Sequence, residues 1–128
     1  MRIIIADESP AVFDRVVKLL IPVGGAVVAH TTEVSETLRC VAASRPDVVI
    51  LELHLQGGTG IQVLRRLKRE YPEIAVIVLT NFPFPQLRAM CKKLGADGFL
   101  DKSMDFDEVP ALVRALTQKT RLAGAGIR

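Results

Sequence analysis

The feature that most constrains the fold is an alternation of short apolar runs with helical patterns, repeated five times along the chain. Continuous apolar runs of this length are typical of strands buried on both faces of a parallel sheet. Parallel strands need crossover connections, which place helices on both faces. A closed barrel of eight units would need about twice the residues. We therefore expect a three-layer α/β fold around an open, doubly wound, five-stranded sheet. The predicted strands are Ile3–Ala6, Ala26–Ala29, Asp47–Leu51, Ile74–Leu79 and Gly98–Leu100.

Length and patterning indicate one domain over residues 1–121. With 128 residues, 49% of them hydrophobic, the chain can form a packed core without disulfides. Residues 122–128 lack periodicity and contain two glycines, so we expect a flexible tail or the root of a linker there. Cys40 and Cys91 both fall within helical patterns, which favours buried thiols over a disulfide or a metal site.

Composition excludes several classes of function. No apolar run reaches the roughly 18 residues of a membrane span, and the N-terminus, MRIIIAD, meets an acid too early for a signal peptide. A cytoplasmic location is therefore expected. The net charge of +3 is too small to indicate direct nucleic-acid binding, and the basic residues fit the outer faces of helices.

The central stretch, residues 46–60, reads PDVVILELHLQGGTG and is followed by a helical pattern from Ile61. It consists of a buried strand, a carboxylate at the strand end (Glu52), and a glycine-rich turn. Open α/β sheets bind ligands outside the carboxyl ends of their strands. Taken alone, Glu52 is equally well explained as a strand end facing solvent.

Polar residues follow every predicted strand, and those after four of the five strands are candidates for one site; Thr31 and Thr32, after the second strand, are assigned no role. If the strand order is 2-1-3-4-5, a common doubly wound order, the first and third strands are neighbours and their three acids converge. Clustered carboxylates need a cation, and an oxygen-only site suits Mg²⁺. Lys102 offers a point charge for a phosphate or for Glu52, and Thr80 offers a hydrogen-bond donor. These residues are Asp7, Glu8, Glu52, Thr80 and Lys102.

The segments IIIADES, DVVILELHLQGGTG, VIVLT and GADGFLDKS together resemble the receiver domain of two-component response regulators, over about residues 1–120. The resemblance implies a flavodoxin-like, CheY-like (βα)5 fold. It also implies phosphoryl transfer from a histidine kinase to an Asp at the end of the third strand, with Mg²⁺ bound.

The family's functional positions are matched in order along this chain. Asp7 and Glu8 match the acidic pair, and Glu52 the phosphoacceptor position. His54 matches the position whose backbone carbonyl binds the metal. The remaining matches are Thr80 as the switch hydroxyl, Phe99 as the switch aromatic and Lys102 as the family lysine. Two alternatives stay open: Phe99 as a core aromatic, and His54 as a surface side chain.

The departure from the family is Glu52, which stands where the phosphoaccepting Asp is expected. The extra methylene moves the carboxylate outward by about 1.5 Å, and a positioning error near 1 Å can lower the rate of transfer about 100-fold. We predict impaired phosphorylation or a phospho-mimicking state, with Glu52 meeting Thr80 and Lys102 directly. The alternatives are a conventional receiver that carries an engineered Asp-to-Glu change and a protein-interaction module that acts independently of phosphorylation.

The sequence therefore predicts a non-enzymatic signalling module. It is expected to present its fourth helix, fifth strand and fifth helix to a sensor kinase, an output protein or an output domain. Homodimerisation is left open, and no membrane contact is expected. Three other classes of protein are alternatives: a flavodoxin-like cofactor binder, a metal-dependent phosphatase and a scaffold without a metal site. Two acids where a phosphate loop would have to bind an anion argue against the first of these.

Overall fold

The computed structural model describes the backbone of residues 1–126 and the side chains of residues 1–118. Its main sheet has five parallel strands, and their order is β2-β1-β3-β4-β5. This confirms the predicted fold class and strand order. The strands are β1 (Arg2–Ala6), β2 (Ala26–Thr31), β3 (Val48–Leu51), β4 (Ala75–Thr80) and β5 (Gly98–Asp101).

A helix follows each strand of the sheet. Ser9 caps the first helix by accepting a hydrogen bond from the Val12 N–H, and Thr59 forms a capping box with Gln62 on the third. Thr32, a residue type that often caps helices, does not cap the second helix, whose N-cap position is Glu33 without a side-chain hydrogen bond. The helices are α1 (Pro10–Leu20), α2 (Val34–Ser44), α3 (Gly60–Glu70), α4 (Pro85–Lys93) and α5 (Val109–Gly126).

The last helix continues beyond the predicted domain end. A 3₁₀ turn over Phe106–Glu108 leads into α5, with Pro110 in its first turn. The helix passes through residues 122–126, where we expected a tail or linker root. Residues 127 and 128 lie outside the described residues, so the predicted boundary at residue 121 stays a prediction. In the part of the chain described, no helix is long and apolar enough to cross a bilayer.

The strands are apolar on both faces because each face meets its own helical layer. One core cluster joins the sheet to α2, α3 and α4, and the other joins it to α1 and α5. Cys91 is buried in the first cluster and Cys40 is half-buried; both are free thiols. Met90, although apolar, is 45% exposed because it lies on the outer side of α4.

The turn after β3 contains a short antiparallel hairpin that the sequence did not predict. His54–Leu55 pairs with Gly58–Thr59. Gly60 then packs directly against the backbone of Glu52, so that a Cβ atom at this position would overlap the Glu52 carbonyl oxygen. The Gly60 N–H donates to the Leu53 carbonyl at 2.8 Å. The hairpin and α3 therefore fix the backbone from which the Glu52 side chain projects.

We expect Gly60→Ala to lower the free energy of unfolding by about 2 to 3 kcal/mol, because the added methyl group meets backbone atoms that cannot turn away. Urea unfolding of the full chain measures this change. Gly57→Ala is the matched control: Gly57 has φ +76° with open space around it, so only about 1 kcal/mol of backbone strain is expected. Equal losses in both variants would contradict the close approach at Gly60.

Candidate functional site

The carboxyl edge of the sheet brings together Asp7, Glu52 and Lys102. Asp7 and Glu52 follow the neighbouring strands β1 and β3, and Lys102 follows β5. The backbone N–H of Lys102 donates to the Thr80 carbonyl, which directs its side chain over β4. Its Nζ atom lies 2.7 Å from Asp7 Oδ2 and 2.9 Å from Glu52 Oε1. The predicted convergence of these three residues is therefore observed.

The Glu52 carboxylate, 5% exposed, accepts hydrogen bonds from three donors. Oε1 accepts from Lys102 Nζ and, at 3.3 Å, from the backbone N–H of Asn81. Oε2 turns back to the backbone N–H of Leu53. One ammonium and two peptide N–H groups thus surround a single anionic group. We name these three donors, from Leu53, Asn81 and Lys102, the anion cradle.

The Thr80 hydroxyl is close to this cradle but is not one of its donors. Thr80 is fully buried, and its Oγ1 accepts a hydrogen bond of 3.0 Å from the Phe82 N–H. We expected Glu52 to meet both Thr80 and Lys102. Among the described residues only the Lys102 contact forms, and the N–H of Asn81 takes the place of the hydroxyl. The loop after β4 directs the backbone N–H groups of Asn81 and Phe82 inward. The Glu52 carboxylate accepts a hydrogen bond from the first, and the Thr80 hydroxyl accepts one from the second.

The first strand contributes Asp7 to the Lys102 contacts. Asp7 Oδ1 accepts from the Ser9 N–H at 2.8 Å while Oδ2 pairs with Lys102. Glu8 is half-buried. The described residues contain no group of three His, Cys, Asp or Glu side chains placed to hold a metal ion.

The predicted Mg²⁺ site would use Asp7, Glu8, Glu52 and the backbone carbonyl of His54. Oxygen donors of this kind suit Mg²⁺. However, the two buried carboxylates are already paired with the Lys102 ammonium, so a divalent ion would have to share them with that charge. The magnesium site stays a prediction. The His54 side chain is exposed on the hairpin, 6.4 Å from the ring of Phe82.

His30 contacts the site through a bond that the sequence did not reveal. Its Nε2 atom lies 2.8 Å from the Asp7 carbonyl oxygen, and its ring stacks on Phe13 at 4.2 Å. His30 therefore links the ends of β1 and β2, as expected of a structural residue. No sequence spacing signals this contact, because the two residues are brought together only by strand pairing.

The electrostatics of the site centre on Lys102, whose side chain is 8% exposed. Burial by itself lowers the pKa of this ammonium, but the hydrogen bonds and negative charges of Asp7 and Glu52 outweigh burial and raise the pKa above its usual value. The lysine is therefore firmly protonated at neutral pH. Its charge compensates two carboxylates that would otherwise be buried side by side.

Phe99 lies half-buried on β5, at the edge of the sheet. It packs against the cluster under α2, α3 and α4, and the Arg88 guanidinium lies 4.6 Å from its ring. Arg88 also donates to the Phe99 carbonyl at 3.2 Å. The ring thus lies between core and surface, and its role as a switch stays a prediction. Sequence reasoning missed Arg88, which it assigned to a solvated helix face.

Comparison with known proteins agrees with this geometry. Residues 3–114 match the family described as the response regulator receiver domain. The chain is 33% identical over 117 residues to the DNA-binding transcriptional activator EvgA of Escherichia coli, covering 90% of this chain and 56% of EvgA. It is 34% identical over 83 residues to a protein-glutamate methylesterase/protein-glutamine glutaminase of Hahella chejuensis, covering 64% of this chain and 24% of that enzyme.

Among solved structures, the isolated receiver domain of RcsB from Salmonella enterica superposes with a TM-score of 0.86. The two are 26% identical, and the alignment covers 92% of this chain and 88% of the other. The chain therefore belongs to the response regulator receiver domain family of two-component systems. It spans about half or less of the length of the curated relatives it matches.

The Lys102 contacts predict a pH-dependent loss of stability on substitution. At pH 7, Lys102→Met should lower the free energy of unfolding by about 3 to 5 kcal/mol, because it leaves two buried carboxylates unpaired. The pKa of Lys102 is raised in the folded state, so its contribution is complete below the usual value of 10.5. It is lost as the pH rises through the raised pKa.

Urea unfolding of both proteins from pH 7 to pH 12 measures this dependence. The gap in stability between wild type and Lys102→Met should be widest at neutral pH and shrink in the alkaline range. Lys18→Met, at an exposed position on α1, is the control and should change little at any pH. A gap that stays constant up to pH 12 would contradict the proposed role of the lysine charge.

Proposed function

We propose that this receiver domain signals without accepting a phosphoryl group, because the Glu52 carboxylate occupies the position where the group would bind. The observation that carries the proposal is the anion cradle, whose three donors all bond to Glu52. A carboxylate held by an ammonium and two N–H groups has the hydrogen bonding expected of a bound phosphoryl group, with one negative charge in place of about two.

Two physical effects work against transfer to Glu52. The donors that would stabilise the transferring group are already occupied, so an incoming phosphate would have to displace the carboxylate from Lys102 and Asn81. The carboxylate also lies beyond the usual reach of an aspartate by about one C–C bond, and in-line transfer depends on positioning. Both effects are removed by shortening the side chain.

The expected consequence is a receiver whose loop after β4 is held in one arrangement at all times. Glu52 holds the N–H of Asn81, and Thr80 holds the N–H of Phe82, immediately before α4. We infer that α4, β5 and α5 form the face that a downstream protein or output domain binds. We also propose that the domain is non-enzymatic, that it acts in the cytoplasm and that a sensor kinase is one of its partners.

Incubation with acetyl phosphate and Mg²⁺, followed by intact mass measurement, tests this proposal. We expect no added phosphate on the wild type and one added phosphate on Glu52→Asp, which withdraws the carboxylate and frees the cradle. Glu52→Gln, similar in shape but uncharged, should gain none. A stoichiometric gain on the wild type, lost in Glu52→Ala, would restore the conventional phosphorylatable receiver.

Beryllium trifluoride gives a second, non-covalent test. The RcsB receiver domain that this chain resembles was solved in the presence of this phosphomimetic. In two-dimensional NMR spectra, beryllium trifluoride with Mg²⁺ should leave the Leu53, Asn81 and Lys102 amides of the wild type unchanged. The same amides should shift in Glu52→Asp. Saturable shifts of these amides in the wild type would show that the cradle is accessible, contrary to the proposal.

A further inference from the structure

The start of helix α2 is capped by a residue of another turn and not by its own N-cap side chain. Glu33, at the N-cap position, makes no side-chain hydrogen bond to the helix. The N–H of Val34, the first residue of α2, donates instead to the carbonyl oxygen of Gln56 at 3.0 Å. Gln56 therefore satisfies one of the N–H groups that the start of a helix leaves without an intrahelical partner.

A second hydrogen bond between the same two segments runs in the opposite direction. The N–H of Gln56 donates to the carbonyl oxygen of Thr32 at 3.1 Å. The two bonds form an isolated parallel bridge between Glu33 and Gln56, and we name this pair of bonds the α2 bridge. Gln56 lies in the turn of the short hairpin after β3, so the bridge ties this hairpin to the chain just before α2.

The hairpin also packs on the first turn of α2. A Cβ atom at Gly58 would lie 3.2 Å from Val34 Cγ2 and would overlap the side chain of Gln62. Leu55, on the other strand of the hairpin, is 3% exposed and belongs to the core cluster against which Val34 packs. Hairpin and helix start are thus held together by side-chain contacts as well as by the two backbone bonds.

The hairpin begins directly after the Glu52 carboxylate, with only Leu53 between them. The Leu53 side chain is buried in the same core cluster, and the Leu53 carbonyl oxygen accepts the N–H of Gly60. The Leu53 N–H donates to Glu52 Oε2 and is one of the three donors of the anion cradle. The direction of this N–H therefore depends on the path that the hairpin takes.

We propose that Gln56 is a positioning residue for Glu52. Its two backbone bonds to the start of α2 fix the hairpin, and through the hairpin they keep the Leu53 N–H directed at the Glu52 carboxylate. The proposal deepens the proposed function and rests on it, since it identifies what holds the carboxylate where a phosphoryl group would bind. The start of α2 is thereby coupled to the acceptor position.

A purely structural bridge is the competing explanation. The two bonds cap α2 in either case, so their loss should lower stability whether or not Glu52 responds. The explanations differ at the Leu53 amide. If the bridge positions Glu52, cutting it changes this amide mainly when the carboxylate is present; if the bridge is only structural, the change is the same with and without the carboxylate.

The chain allows the bridge to be cut one bond at a time. Gly57 has φ +76°, whereas the φ of Gln56 is negative, a pattern that matches a type II turn with a proline-compatible position at Gln56. Gln56→Pro therefore removes the N–H that reaches Thr32 and keeps the turn. Val34→Pro removes the other donor, and proline is well tolerated at the first position of a helix. Gln56→Ala and Val34→Ala keep both N–H groups and are the matched conservative variants.

Two-dimensional NMR spectra of the full chain measure the response of the Leu53 amide. Glu52→Ala defines the position of this amide without a carboxylate acceptor. We expect each proline variant to move the amide at least one third of the way toward that position, and each alanine variant to move it less than half as far as its proline counterpart. Within the Glu52→Ala background, Gln56→Pro should move the amide less than one third as far as it does in the wild type.

Two results would overturn the positioning role. One is a Leu53 amide that does not move in either proline variant although hydrogen exchange at the start of α2 shows that the bridge has opened. The other is an equal movement with and without the Glu52 carboxylate. If Gln56→Pro does not fold, the comparison of Val34→Pro with Val34→Ala decides by the same two criteria.

Acetyl phosphate separates this proposal from the proposed function. In the Glu52→Asp background, Gln56→Pro should slow phosphorylation at least fivefold relative to Gln56→Ala, because transfer depends on donors that are held in place. Equal rates would count against the positioning role. If the wild type gains a phosphate while the proline variants still move the Leu53 amide, only the phosphorylation-independent role fails. If the wild type gains none and the amide does not respond, only the role of Gln56 fails.

Discussion

The structure of the site depends on one buried ammonium group between two buried carboxylates. Lys102 joins the end of β5 to the ends of β1 and β3, at 2.7 Å from Asp7 and 2.9 Å from Glu52. Removing the charge of Lys102 leaves two carboxylates uncompensated in a region with little solvent, whereas removing either carboxylate leaves one ion pair. The edge of the sheet is therefore held together by charge, while the layers on either side are held by apolar packing.

Glu52 links this charge network to the surface. Its carboxylate receives the Asn81 N–H, and the adjoining Thr80 hydroxyl receives the N–H of Phe82. The same short loop leads through Phe84 into α4, whose cations border a groove against Phe99. A continuous set of contacts thus runs from Glu52 to a surface with its own charge and shape.

Most of the fold could be predicted from the sequence because both faces of the sheet are covered. Continuous apolar strands such as β3 and β4 leave few alternatives to a doubly wound sheet. The chemistry of a single residue is misleading where packing decides the position of its side chain. Met90 has apolar chemistry but lies on the outer side of α4, and Thr32 donates its N–H to Glu36 instead of capping α2. Periodicity alone cannot resolve a shift of one helical position.

The sequence by itself determined the layer architecture. It also determined that Asp7, Glu52 and Lys102 lie at the same edge of the sheet. It did so because strand ends in a parallel sheet share an edge, whatever the side chains do. Only the tertiary structure decided which donors Glu52 meets, that no group of three acids placed to hold a metal ion forms among the described residues, and that the cations of α4 have no ion pair there. These outcomes depend on side-chain torsions and on contacts between distant segments, which no sequence spacing encodes.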